Sequence, residues 1–451
     1  MDDHKVLTDV YGALLAEGKY DKFREQYLTL HPYDQSQIYM QLNREERTIV
    51  SYYLSPEEMA EIMGNLLDET ELLEDALSDM DPNYAASVIT DMYTDDAVDL
   101  LENLEKEQTI SYLMLMDKDR AEPIRHLLHY EDSTAGSIMT TEYIGVSENQ
   151  TVRDAMQMLR KEALDAELIY YIYVVDHQNK LTGVISLRDL LVAADDTWIF
   201  ELMNEQVHYA KVSDDQETVA RMMRDYDFLA LPVVDFQLHM VGIITVDDIM
   251  DVMDEIASDD YSKLAGVSEM EKLDTKSAFL CSKTIPWLII LLFLGLITAN
   301  LISHFESALS QKAILAVFIP LIAGMAGNTG TQSLAVIVRG IATGEIAEEN
   351  KWLLLLREAG TGLITGVTCG ILVTILVFAW QDDFFLAILV GNSILVSLMV
   401  ATLAGSLVPL VMNKLKIDPA VASGPFITTI NDLISIVIYF GMATIFMNRL
   451  G

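Results

Sequence analysis

Cysteine and positive charge are what this chain has least of. Only Cys281 and Cys369 occur, the second inside an apolar run, which excludes a disulfide scaffold and leaves no CxxC pair for a metal. Lys and Arg number 29 against 68 Asp and Glu, a net charge of −39. Such a chain repels the phosphates of nucleic acid and suits cations. The opening MDDHKVLTDV has neither the basic nor the apolar stretch of a signal peptide, so the front half is expected to stay in the cytoplasm. HExxH, GxSxG and the phosphate loop GxxxxGK-S/T are missing as well. The reading is of a protein that is not an enzyme.

Two unlike halves are present instead. Mean hydropathy is +0.27 in spite of the charge, and residues 285–451 hold nine acids and seven bases, leaving 59 acids and 22 bases in the first 284 residues. The back half divides into five apolar spans near the roughly 20 residues that cross a bilayer, at about 285–303, 314–338, 359–380, 384–412 and 421–447. With the N-terminus inside, Arg339, Lys351, Arg357, Lys414 and Lys416 fall on the inner loops, as the positive-inside rule expects. The C-terminus then lies outside.

Inside the fifth span, SGPFITTINDLISIVIYFGMATIF carries one ionisable residue, Asp432. A carboxylate at bilayer depth costs several kcal/mol on the order given by insertion scales and marks a functional site by default. Around it stand Gly424, Pro425, Thr428, Thr429 and Asn431, and the second span carries Pro320, Gly324 and the run GNTGTQS with Asn328, Thr331 and Gln332. Both clusters sit where a pore lining could be built, and GNTGTQS reads as a broken or tightly packed membrane helix. The competing reading is interhelical packing around a hydrogen-bonded Asp432.

The front half contains two repeats. IYVVDHQNKLTGVISLRDLL (172–191) matches LPVVDFQLHMVGIITVDDIM (231–250) at a constant offset of 59. Each copy predicts a strand, a turn, a second strand beginning at Gly183 or Gly242, and a helix capped by Ser186 or Thr245. Upstream, units starting at Leu54, Leu67, Met80, Met92, Leu104 and Met116 recur every 12 to 13 residues, each with a cap-like Ser, Asp or Thr before apolar residues at helical spacing. That predicts a superhelix of short helices whose Met and Leu stripe is core. In VDDIMDVMDEIASDDY, Asp248, Asp251, Glu255 and Asp259 share one helix face, and the stripe reads as lacking basic partners at i+4. Asp95 and Asp99, with Glu61 two repeats earlier, form a second acid surface. Such stripes are also ordinary solvated surface.

The duplicated VVD core over about 132–258 resembles a tandem pair of CBS domains. In that family the pair often dimerises and can bind adenosine nucleotides, which implies Ser186, Arg188, Asp189, Thr245 and Asp248 at ribose or phosphate, with Tyr171 and Phe228 able to stack on a base. Across nearly its whole length the chain resembles the MgtE family of magnesium channels, on the order of its domains together with GNTGTQS and GPFITTINDLISIVIYF. The resemblance implies a multidomain protein: an all-α superhelical N-domain (1–131), two α/β CBS domains (132–198 and 199–258), a connecting helix (259–284) and an α-helical polytopic membrane domain of five transmembrane helices (285–451). It further implies a homodimer in the plasma membrane whose second and fifth spans line one pore, with Asp432 holding a cation. Gly424 stands where some relatives carry Asn. Regulatory Mg²⁺ is implied at Glu61, Asp95, Asp99, Asp227, Asp248, Asp251, Asp259 and Asp260, closing the pore when cytosolic Mg²⁺ is high, with ATP a further implied ligand. Mg²⁺ suits a wide site with few acids and several neutral oxygens, and no Cys or His cluster offers softer ligands. Alternatives are a CBS-regulated transporter of Mn²⁺ or Co²⁺, an anion channel, and a nucleotide-sensing membrane regulator that conducts nothing.

Overall fold

The 12-residue spacing becomes a row of helices. The computed structural model describes residues 2–67, 70–266, 277–343, 346, 351–419 and 424–446; it divides into two compact units, Met1–Met253 and Asp254–Gly451. In the first, α1 (Asp2–Ala16) and α2 (Tyr20–Tyr27) precede α3 (Pro32–Gln41), α4 (Arg44–Tyr53), α5 (Pro56–Gly64), α6 (Thr70–Ser78), α7 (Pro82–Asp91), α8 (Thr94–Glu102), α9 (Lys106–Leu115) and α10 (Lys118–Leu127). The repeat therefore begins two units before Leu54. Its first two caps, His31 and Asn43, fall outside the Ser, Asp or Thr pattern, although each accepts a helix-start N–H as those residues do. Asn43 with Glu46 and Ser55 with Glu58 form reciprocal caps, and proline opens α3, α5 and α7. Each side-chain cap contributes about 1 kcal/mol by satisfying an N–H the helix cannot. As expected, Met59, Ile62, Met63, Leu100 and Leu101 are core. The strongest packing links alternate helices, α3 on α5, α5 on α7 and α7 on α9.

Three caps differ from expectation. Glu105, not Ser, Asp or Thr, precedes α9, and Asp117 before α10 makes no side-chain cap bond. Tyr93, not Thr94, precedes the first turn of α8, and the Thr94 hydroxyl donates to the Glu142 carboxylate at 2.7 Å. A charged acceptor outcompetes the helix's own backbone. Residues 68 and 69 of the unit starting at Leu67 lie outside the described residues.

The 59-residue offset is equally literal. Strands β1 (Gly145–Ser147), β2 (Tyr171–Val175) and β3 (Leu181–Ser186) form one sheet, and β4 (Ala210–Lys211), β5 (Ala230–Val234) and β6 (Met240–Thr245) a second with the same order and pairing. Helices α11 (Val152–Glu162), α12 (Leu187–Val192), α13 (Ile199–Leu202) and α14 (Gln216–Tyr226) accompany them. The second strand of each hairpin starts two residues before the glycine predicted to open it. Gly242 serves close approach instead: a Cβ there would meet the Thr140 carbonyl oxygen at 2.5 Å. The hairpin turns place Asn179 and Leu238 at φ of 61° and 67°, a conformation Asn tolerates and Leu does not. Leu238→Asn is therefore expected to stabilise the protein by about 1 kcal/mol, read as a higher unfolding midpoint of the detergent-solubilised chain. An unchanged or lower midpoint would refute the strain.

After α15 (Val246–Ala265), the second unit consists of α16 (Ser277–His304), the short α17 (Glu306–Gln311), a 3₁₀ turn (Ala313–Phe318), α18 (Ile319–Ala342), α19 (Lys351–Gln381), α20 (Phe384–Lys414) and α21 (Gly424–Phe446). Among the described residues, five segments are long and apolar enough to cross a membrane. Helix α20 is the central one, packed on α18, α19 and α21. Tight packing, not a break, explains GNTGTQS, because α18 runs through it without interruption. The third span begins at Lys351, eight residues before the expected 359. Arg357 and Glu358 argue against lipid, yet the helix carries Glu358 into the bundle interior, where it is 6% exposed and accepts from Ser333 Oγ at 2.5 Å. Positions 267–276 of the expected connecting helix, and 421–423 and 447 of the expected fifth span, lie outside the described residues.

Candidate functional site

Where α18 meets α21, glycine on one helix faces polar side chains on the other. A Cβ at Gly327 would press on Thr428 and lie 3.6 Å from Asp432 Oδ1, and at Gly330 the Asn431 amide already fills the space a Cβ would need. The Thr331 and Thr428 hydroxyls lie 3.2 Å apart. Asn431 is 1% exposed, and among the described residues neither its amide atoms nor Asp432 Oδ1 have a hydrogen-bond partner. Buried polar atoms are almost always satisfied. These three atoms on adjacent residues form an oxygen and nitrogen set of the kind that could hold a hydrated ion. Of the other expected pore residues, Asn328 and Gln332 are exposed on α18. Gly424 is buried at the start of α21, where a Cβ would sit 3.3 Å from the Thr331 methyl and 3.4 Å from the Leu264 carbonyl oxygen; its part is close packing.

A second constellation lies in the first unit. Asp95 on α8, Glu167 before β2 and Asp248 on α15 bring carboxylate oxygens within 4.8 Å of one another. Asp95 is 5% exposed, and its Oδ1 accepts the Asp96 N–H at 2.9 Å. The Asp248 carboxylate accepts the Thr245 hydroxyl at 2.5 Å and the Thr245 N–H at 3.3 Å. Burial raises every one of these acids and mutual repulsion adds to it: Glu167 to about 8, Asp96 to about 7 and Asp248 to about 6, with Asp95 also well above the usual range. Such a group of hard oxygen donors fits a divalent cation of the Mg²⁺ type.

Glu167 was not legible as a site residue. It stands singly before a strand, with no repeat or helical spacing to mark it. Asp99 and Asp251 are exposed near the cluster and help raise Asp96. Glu61 is exposed on α5 and Asp227 is exposed at the left-handed end of α14; the structure does not bring either to ligand distance of the three acids. In the second unit Asp259 and Asp260 are half-buried. The expectation of a stripe without basic partners is wrong at Asp259, because Lys263 one turn on reaches it at 2.5 Å and reaches Asp418 at the same distance. That double contact holds the lysine charged to higher pH than usual.

Family matches cover most of this architecture. The MgtE family, described as a divalent cation transporter, matches residues 319–442; its intracellular N domain matches 30–133, and CBS domains match 135–196 and 199–255. The magnesium transporter MgtE of Enterococcus faecalis is 51% identical over 427 residues, covering 95% of this chain and 94% of its own. The chain belongs to the MgtE family. The Bacillus subtilis magnesium transporter MgtE is 38% identical over 97% of this chain and 96% of its own. Among solved structures, the soluble part of a magnesium transporter is 48% identical with a TM-score of 0.55, covering 56% of this chain and 99% of that one. The cytosolic domain of the Mg²⁺ channel MgtE in complex with ATP is 38% identical with a TM-score of 0.50, covering 54% and 99%.

Within this MgtE chain the expected nucleotide residues fall into two groups. Ser186 caps α12 and lies 2.6 Å from Asp189 Oδ2, with Arg188 exposed beside them and Tyr171 half-buried on β2. Phe228 stacks on Tyr226 at 5.4 Å and 8°, and the His208 ring lies 4.3 Å from Tyr226. No ring contact joins Tyr171 to Phe228 among the described residues. Tyr226, between these rings, is 55% exposed.

Proposed function

We propose that this MgtE chain is a Mg²⁺ channel of the plasma membrane that conducts passively as a homodimer, with residues 1–284 in the cytosol. The observation that carries the reading is the orphaned Asn431 and Asp432 set against the glycine face of α18. Two copies of Asp432 facing across a dimer axis would supply one or two carboxylates while the ion keeps most of its water, the arrangement Mg²⁺ prefers. We assign the helical domain to 1–131, the CBS domains to 132–198 and 199–258, the connecting helix to 259–284 and the pore to 285–451. Purified protein in proteoliposomes should pass Mg²⁺ down its gradient without an energy source. Absence of any cation flux would leave a regulator that does not conduct, and a preference for Mn²⁺ or Co²⁺ would reassign the cargo.

Gating is proposed to run through the acid cluster. Cytosolic Mg²⁺ bridging Asp95, Glu167 and Asp248 would favour the compact arrangement of the helical and CBS domains, and that arrangement would hold the pore shut. A ligand shifts such an equilibrium only by its preference for one state. Burying three acids that repel without a cation supplies that preference.

ATP is a proposed second ligand, supported by the nucleotide-bound MgtE relative and by the Tyr226 face near Phe228. The aromatic rings would stack on the base and Arg188 or Ser186 would meet the phosphates. Calorimetry of the detergent-solubilised chain with ATP should show saturable heat that Tyr226→Ala removes. No heat at millimolar ATP would leave the CBS pair as scaffold.

A further inference from the structure

Beside the three-acid cluster lies a fourth carboxylate, Glu142, and unlike its neighbours it is saturated. Its side chain is 9% exposed. Oε1 accepts the Thr94 hydroxyl at 2.7 Å and Arg120 Nη1 at 3.2 Å. Oε2 accepts the Thr140 hydroxyl at 2.8 Å, the Thr141 N–H at 3.1 Å and the Thr94 N–H at 3.3 Å. An ionised carboxylate offers roughly four lone-pair sites, so this one has none left for a cation. It holds its surroundings instead of binding.

We propose that Glu142 is the positioning residue of the Asp95, Glu167 and Asp248 cluster, setting the three carboxylates at cation-binding distance before a cation arrives. The inference rests on the reading that this cluster binds Mg²⁺. Each acid is tied to Glu142 by a short chain of bonds. Thr94, gripped through both its hydroxyl and its N–H, immediately precedes Asp95 and opens α8. Tyr93 supplies no side-chain cap there, and a carboxylate at a helix start is electrostatically favoured. The Glu142 carbonyl oxygen accepts the Glu167 N–H at 3.0 Å. Thr140, held by Oε2, exchanges backbone hydrogen bonds with Ile243 on β6 at 2.8 and 2.9 Å. Two residues further along that strand is Thr245, whose hydroxyl fixes Asp248.

The consequence concerns affinity. Mutual repulsion pushes the buried acids apart when no cation is bound, and Glu142 opposes that separation with neutral donors and Arg120. Without it, a cation must first reassemble its own ligands, and loss of such an outer contact weakens metal sites about tenfold or more.

The test uses the full chain in detergent, with protection of the helical domain from protease titrated against Mg²⁺. Glu142→Ala and Thr94→Val should raise the Mg²⁺ concentration for half protection about tenfold, while saturating Mg²⁺ still gives full protection. Thr94→Ser keeps the hydroxyl and should match the wild type. Asp95→Asn and Glu167→Gln, which change the ligands themselves, should remove the Mg²⁺ dependence. If those two leave protection unchanged, the cluster does not bind Mg²⁺ and the reading beneath this inference fails. If they remove it while Thr94→Val and Glu142→Ala titrate like the wild type, the positioning role alone is overturned. Should Glu142→Ala also lower protection at saturating Mg²⁺, the comparison of Thr94→Val with Thr94→Ser decides: a shifted Val midpoint supports positioning, and equal midpoints overturn it.

Discussion

Asp432→Ala is expected to reduce Mg²⁺ flux into proteoliposomes at least about 100-fold, equivalent to about 2.7 kcal/mol, while the protein still assembles and elutes like the wild type. The carboxylate lies beside the buried Asn431 amide and has an oxygen without a protein partner among the described residues. Removing it takes away the fixed negative charge that makes bilayer depth tolerable for a divalent cation. Asp432→Asn keeps a ligand oxygen and loses the charge, so its flux should fall between the two. Wild-type flux through a well-assembled Asp432→Ala channel would exclude Asp432 from the conduction path.

The second large effect is expected from Asp95→Asn, Glu167→Gln and Asp248→Asn together, which should leave flux open at internal Mg²⁺ that shuts the wild type. It should also weaken an unusual pH dependence, of which Asp96 keeps a share. Acids whose folded-state values are raised stabilise the packed arrangement fully below the ordinary carboxylate range of about 4, and that contribution is lost as pH rises through the folded-state values. Here those are about 6 for Asp248, about 7 for Asp96 and about 8 for Glu167. In chelator, protease resistance of the helical domain should therefore be higher at low pH and fall across that window. In millimolar Mg²⁺ it should stay high throughout, since the ion replaces the protons. Monovalent salt of equal ionic strength should give only part of the effect, because screening does not bridge carboxylates. Resistance that rises with pH in chelator, or inhibition that survives all three substitutions, would move the sensor elsewhere. Asp259 is unsuitable for this test. Its replacement releases Lys263 onto Asp418 alone, which alters an ion pair as well as an acid.

What could be read from sequence followed from periodicity. The offset of 59 reproduces β2 and β3 as β5 and β6 residue for residue, since each copy repeats the same apolar strand, turn and glycine-bearing strand. Helix starts at Pro56 and Pro82 follow from caps and prolines, and span lengths follow from hydrocarbon thickness. Glu167, Glu142 and Glu358 escaped because their environments come from distant segments. Nothing beside Glu358 in the chain announces that Ser333 of α18 will meet it, and Arg357 next to it argues for a membrane edge. Thr94 misled for the same reason: its local chemistry says cap, and a carboxylate 48 residues away takes the hydroxyl.

The alternate stacking of the short helices has a consequence for how this domain can change over evolution. Each unit touches chiefly its second neighbour, so stability accumulates along a line, as in solenoid proteins, and no unit depends on the whole. With α1 seated on α3 and α4, and α2 on α4, a 12-residue unit gained or lost inside the row would leave the register of α8, where Asp95 sits, unchanged. The domain resembles a ruler with helical graduations, whose length could drift while the Asp95 carboxylate keeps its place beside Glu167 and Asp248.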